Sequence, residues 1–91
     1  DEQMKLSTKK ALYEVMKDGN LYTIWDLKKL IALRYEVYAM ETSISAVMRL
    51  FRWDENRARF NLPRDINVEV LVKQNRPNGK GYLYKLITEE K

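Results

Sequence analysis

The spacing of apolar residues changes once along this chain. Through the first two-thirds they recur every three or four positions, as on one face of a helix, and in the last third they alternate. Leu12, Val15 and Met16, with Ala11, make the first helical face, and Ser7 or Thr8 supplies the capping oxygen before it. Lys17 suits the dipole at the end of that helix, and Gly19 suits a left-handed cap. Leu21-Tyr22 reads as a very short strand or a tight connection. Thr23 then caps a second helix, with Asp26 in its first turn and Ile24, Leu27, Ile31, Tyr35 and Tyr38 on one face beside Leu30. This helix is expected to end between Tyr35 and Tyr38, with residues 36–41 as a turn. Thr42 is the next predicted cap. Behind it, Ile44, Val47, Met48 and Phe51 give the i, i+3, i+4, i+7 stripe of a buried face.

Residues 54–64 are expected to extend the third helix by a turn or two and then loop through Asn61-Leu62-Pro63. Beyond them the period is two. Ile66, Val68, Val70 and Val72 alternate with Asn67, Glu69, Leu71 and Lys73, and Tyr82, Tyr84 and Leu86 share one side of a second strand. Residues 76–81, with Asn78-Gly79 at their centre, read as the turn of a hairpin. The ends, 1–6 and 88–91, are expected to be disordered tails on one domain spanning residues 1–91. No repeat or Gly/Ser linker divides the chain.

Composition narrows the chemistry. The 91 residues include no cysteine and no histidine. Disulfides, thiol chemistry, most zinc arrangements and histidine-based acid–base catalysis are therefore excluded. No cofactor, metal or small-molecule ligand is implied, and the chain is not expected to be an enzyme. No apolar run approaches the roughly 20 residues of a membrane span, and the start lacks the pattern of a signal peptide, so no membrane partner is expected and a cytoplasmic location fits. The net charge of +4 is one-sided: residues 1–45 carry seven basic and seven acidic side chains, and residues 46–91 carry ten basic and six acidic. A basic second half points to a polyanionic partner.

The order helix, short strand, helix, turn, helix, hairpin resembles the winged helix-turn-helix family of DNA-binding domains. Residues 42–52 (TSISAVMRLFR) resemble its recognition helix, residues 24–35 the helix before it, and residues 67–75 and 82–87, joined by 77–81, its wing. The chain departs from the family pattern in having no glycine in the turn before the third helix and in its long link to the wing. The resemblance implies an α+β fold of three helices and a β-hairpin, with double-stranded DNA as partner, in the role of a small transcriptional regulator. A homodimer on paired half-sites is compatible with it.

The residue chemistry supports the same reading independently. The major groove admits one α-helix. Opposite the apolar stripe lie Ser45, Ala46, Arg49 and Trp53, flanked by Arg52 and Leu50. Ser45 and Ala46 are small enough for close approach, Arg49 suits a guanine edge, and Arg52 suits a phosphate or a second base. Thr42 and Ser43 either cap the helix or donate to a phosphate at its positive end. Lys73, Arg76 and Lys80, with Lys85, give the wing a basic surface. Arg57, Arg59 and Arg64 either extend that surface or pair with Asp54, Glu55 and Asp65. The alternative function is a winged-helix protein-interaction or dimerisation module, which an exposed Trp25 or Trp53 favours. Such a tryptophan also suits single-stranded nucleic acid.

Overall fold

The computed structural model describes residues 6–65, 67–77, 79 and 81–88. Among these residues four α-helices precede one antiparallel hairpin: α1 (Thr8–Met16), α2 (Ile24–Tyr35), α3 (Glu41–Leu50), α4 (Asp54–Arg59), β1 (Leu71–Asn75) and β2 (Tyr82–Leu86). The chain is α+β, with one helix more than its sequence pattern predicts. The expected tails fall mostly outside the described residues, but Leu6 packs against the core.

The first two helices begin where local chemistry dictates. Ser7 Oγ accepts the Lys10 N–H and starts α1, which buries Ala11, Leu12, Val15 and Met16. Lys17 is the C-cap, and Gly19 follows at φ +80, donating its N–H to the Met16 carbonyl. Thr23 and Asp26 form a reciprocal capping box, each side chain accepting the other's backbone N–H. Leu27 and Ile31 are fully buried below it. The helix stops at Tyr35 because Glu36 turns left-handed at φ 56. Its N–H bonds the Ala32 carbonyl, and the Val37 N–H reaches back to Ile31, an ending that usually recruits glycine. That reversal buries Val37 and throws Tyr38 outward, 77% exposed, so Tyr38 is not on the α2 core face as expected.

The third helix starts earlier than predicted. Met40, not Thr42, is its N-cap, and it makes no side-chain capping bond. The Ile44 N–H bonds the Met40 carbonyl, and Glu41 places a carboxylate in the first turn, where the helix dipole favours it. Ile44, Met48 and Phe51 are buried, with Val47 half-buried beside them.

Residues 54–64 do not prolong α3. After Leu50 the chain tightens, with the N–H groups of Phe51, Arg52 and Trp53 bonding the carbonyls of Met48, Arg49 and Leu50. Trp53 then begins α4 as an extended N-cap. Burial explains the break. Phe51 and Phe60 must reach the same core, where their rings meet edge to face at 5.5 Å, and Phe60 also packs at a tilt against Tyr13 at 5.0 Å. A straight continuation of α3 would carry Phe60 away from Tyr13.

The first strand also differs from its predicted span and phase. Asp65 makes a turn where the strand was expected, its carboxylate accepting the Asn67 N–H and its carbonyl the Val68 N–H. Pairing begins at Leu71↔Leu86 and runs through Lys73↔Tyr84 to Asn75↔Tyr82. The core face therefore carries Leu71, Tyr84 and Leu86, and Val72 points the other way, half-buried. Val70 is buried just ahead of the strand, where its carbonyl accepts the Ile87 N–H, and Val68 is exposed. Ile66 and Asn78 lie outside the described residues. The short strand expected at Leu21-Tyr22 is a single bridge in which Tyr22 and Tyr84 exchange both backbone hydrogen bonds, at 2.8 and 2.7 Å. It ties the hairpin to the α1–α2 connection.

Two substitutions test this framework by urea denaturation. Phe51→Ala removes the ring at the α3–α4 corner and should cost about 4 kcal/mol, a large share of the stability of so small a domain. Thr23→Ala should cost about 1 kcal/mol through loss of the cap alone.

Candidate nucleic-acid interface

Burying one face of α3 fixes what the other face presents. With Ile44, Met48 and Phe51 inside, Thr42, Ser43, Ala46 and Arg49 are exposed and Ser45 is half-buried. The hairpin brings Lys73 to the same place. Ser45, Arg49, Arg52 and Lys73 line one narrow cleft of about 100 Å³ between α3 and β1, with Leu71 and Tyr84 among its walls. Residues more than 20 positions apart in sequence thus present three cations to one side of the domain.

These cations are not equivalent. Arg49 has no ion-pair partner among the described residues, whereas Arg52 Nε donates to Glu69 Oε2 at 2.7 Å. The same Glu69 oxygen accepts the Leu71 N–H at 3.0 Å, so this carboxylate holds Arg52 and also fixes the start of β1. Partial burial tends to raise the Glu69 pKa, but the Arg52 guanidinium and the Leu71 N–H outweigh it and leave the carboxyl below its ordinary range. Lys73 Nζ lies 4.1 Å from the centre of the Tyr82 ring, a cation–π contact on the hairpin face. Arg76 is exposed at the end of β1 and lines a different cleft, with Trp25, Glu41 and Tyr82. Lys80 lies outside the described residues.

Arg57 is no part of an exposed basic surface. Only 3% of it is accessible. Its Nε donates to the Arg52 carbonyl at 2.8 Å, and its Nη1 to the carbonyls of Pro63 at 3.1 Å and Asp65 at 2.6 Å. A guanidinium offers a fixed fork of donors, so one side chain joins the end of α3 to the loop that leads into the hairpin. It meets the Asp65 backbone and not the carboxylate anticipated from sequence. Beside it, Asn56 is equally buried, its Nδ2 donating to the Leu50 carbonyl at 2.6 Å and its Oδ1 accepting from Lys9 Nζ at 3.1 Å. Arg59 and Arg64 are exposed, and among the described residues no ion pair joins either of them to Asp54, Glu55 or Asp65. Lys85 is half-buried opposite Val72, on the strand face away from the cleft.

Sequence reasoning placed Ser45, Arg49, Arg52 and Lys73 on one surface, and they share one. It missed Glu69, which falls 17 positions from Arg52 and has no local signature, and it missed the core role of Asn56. Trp53 is 58% exposed, as its place opposite the apolar stripe suggested. Among the described residues no group of three His, Cys, Asp or Glu is placed to hold a metal ion, and no helix is long and apolar enough to cross a membrane.

Comparison with known proteins adds nothing to this geometry: no family model, curated protein or solved structure matches the chain.

Arg57→Ala removes the donor from the Arg52 and Pro63 carbonyls and leaves that of Asp65 only the Val68 N–H, and should destabilise the domain by about 3 kcal/mol, read from the urea midpoint. Arg57→Lys should recover only part of this, since an ammonium cannot reproduce the fork. The acid limb is a second test. Two lysine partners lower the Glu14 pKa, Lys17 foremost and then Lys10, and Glu69 is lowered as described. Asp18 is lowered too, because hydrogen bonds from the Tyr22 hydroxyl and from Asn20 outweigh its burial. Folded values below the unfolded ones contribute stability above the ordinary carboxylate range, and it is lost as pH falls through the folded values. The melting temperature should hold near neutrality and fall on acidification, and Glu69→Gln should make that fall shallower.

Proposed function

We propose that this chain is a winged helix-turn-helix domain that binds double-stranded DNA sequence-specifically, in the manner of a small transcriptional regulator. The observation that carries the proposal is the two-sidedness of α3. One face is locked into the core through Ile44, Met48 and Phe51, while the small residue Ala46 stands outward with Arg49, which has no ion-pair partner among the described residues and shares a cleft with Lys73 of the hairpin. A helix held in this way can enter the major groove without disturbing its own packing. Arg49 then reads a base edge and Ala46 allows close approach or meets a thymine methyl. Thr42 and Ser43, in the first turn, are placed to donate to a phosphate. The hairpin acts as the wing, with Lys73 and Arg76 on the phosphate backbone. Arg52 contributes less than Arg49, because Glu69 already neutralises it.

A second reading has its own observation. Leu33 is 80% exposed and lines a groove of about 290 Å³ with Leu21, Tyr22, Asp26, Lys29 and Leu30 along α2. Exposed apolar surface of this kind favours a protein-interaction or dimerisation module.

Gel-shift titrations of random duplex DNA at two salt concentrations separate the two readings. DNA binding predicts a steep loss of affinity with salt. Arg49→Ala should relax base preference at one position by about 1–3 kcal/mol, while Lys73→Ala and Arg76→Ala should weaken all sequences alike and each flatten the salt slope by about one. Arg52→Ala should have a smaller effect than Arg49→Ala. Salt-insensitive or absent binding would leave the protein-interaction reading.

A further inference from the structure

The surface of α3 does not account for a second cleft. Trp25, Glu41, Arg76 and Tyr82 gather around a space of about 320 Å³ between the starts of α2 and α3 and the hairpin. Its two aromatic rings stay substantially in solvent, Trp25 56% and Tyr82 44% exposed. The core does not need Trp25, which lies outside the buried cluster. Even so, its backbone is fixed, because it sits between Thr23 and Asp26 in the α2 capping box. Each ring also has a cation over one face, from a lysine that does not line the cleft itself: Lys29 Nζ lies 5.5 Å from the Trp25 ring centre, and Lys73 Nζ 4.1 Å from that of Tyr82.

Flat aromatic surface interleaved with positive charge is what single-stranded nucleic acid requires, since unpaired bases stack and their phosphates need neutralising. The phosphate backbone of an intact duplex offers no flat face to either ring. Among the described residues Glu41 is the one acid lining the cleft. A carboxylate repels phosphate, but it accepts a hydrogen bond from the exocyclic amino group of cytosine. The volume lies at the lower end of the range for small-molecule sites, enough for a single nucleotide.

We propose that this cleft holds one unpaired nucleotide of single-stranded DNA, its base against Trp25 and Tyr82 and its amino group on Glu41, continuing the strand whose backbone Arg76 holds. The inference rests on the duplex-binding reading only for what lies beside the cleft: the protein would then sit where a duplex gives way to a single strand.

The test uses the whole chain with Trp53→Phe, so that Trp25 is the sole tryptophan. It is titrated with a short blunt duplex, the same duplex carrying a three-cytosine overhang, and a free cytosine strand. The overhang should raise affinity about tenfold over the blunt duplex and quench Trp25 fluorescence. Trp25→Ala should abolish that advantage and leave blunt-duplex affinity unchanged, and Tyr82→Phe, which keeps the ring and its Lys73 contact, should retain it. Equal affinity for blunt and overhang duplexes, with unchanged Trp25 emission, overturns this inference and leaves duplex binding standing. Quenching by the overhang or the free strand, with no binding to blunt duplex, upholds the cleft and overturns the duplex reading.

Discussion

The arrangement of this domain depends on how the end of α3 is satisfied. The last carbonyls of a helix need partners from outside it; here the N–H groups of the following turn take those of Met48, Arg49 and Leu50, and two side chains of the next helix clamp that turn. Asn56 donates to the Leu50 carbonyl and Arg57 to that of Arg52. Arg57 then continues to Pro63 and Asp65, so the fork that closes α3 also sets the path of the chain toward the hairpin. The buried charge is tolerated because its donors meet carbonyl oxygens, and among the described residues no buried side-chain polar atom lacks a partner. Removing this connector would cost more than stability, because the relation between α3 and β1 that brings Arg49 beside Lys73 depends on it.

Two further ties hold the same geometry from other sides. Glu69 links Arg52 to the first N–H of β1, and the Tyr22–Tyr84 bridge fastens β2 to the connection before α2. Both clefts lie along this braced frame, one between α3 and β1 and the other between the helix starts and the hairpin end. A small core cannot hold a hairpin in place by apolar contact alone with much margin. Polar links between distant segments supply the rest of the rigidity on which a recognition surface depends.

What could be read from sequence was what is decided locally. The cap at Ser7 or Thr8, the Thr23 cap with Asp26 in its first turn, the stripe from Ile44 to Phe51 and the pairing side of Tyr84 and Leu86 each depend on residues at most seven apart. The misreadings share a cause in contacts between distant segments. Thr42 looked like a cap, but Ile44 and Met48 are buried with the helix starting two residues earlier, at Glu41. The valines at 68, 70 and 72 suggested a strand face, yet Asp65 and Glu69 claim the backbone N–H groups that an early strand would have used. Arg57 looked like any surface arginine because its acceptors are backbone atoms, which no side-chain pattern reveals. The outward side of α3 was legible because it is the complement of a buried stripe, whereas the cleft around Trp25 joins three segments that nothing in their spacing connects.

The two-stranded sheet has one further consequence. Tyr22 covers β2 at Tyr84, but among the described residues no strand lies on the far side of β1. That open edge, where Glu69 already takes the Leu71 N–H, is a template on which another chain could add, the usual route to edge-to-edge aggregation. Its brevity and the charges of Lys73 and Arg76 oppose such growth. The lysine and arginine that make this edge attractive to a polyanion therefore also keep copies of the protein apart, and a polyanion that neutralises them would remove that protection unless it covers the edge itself.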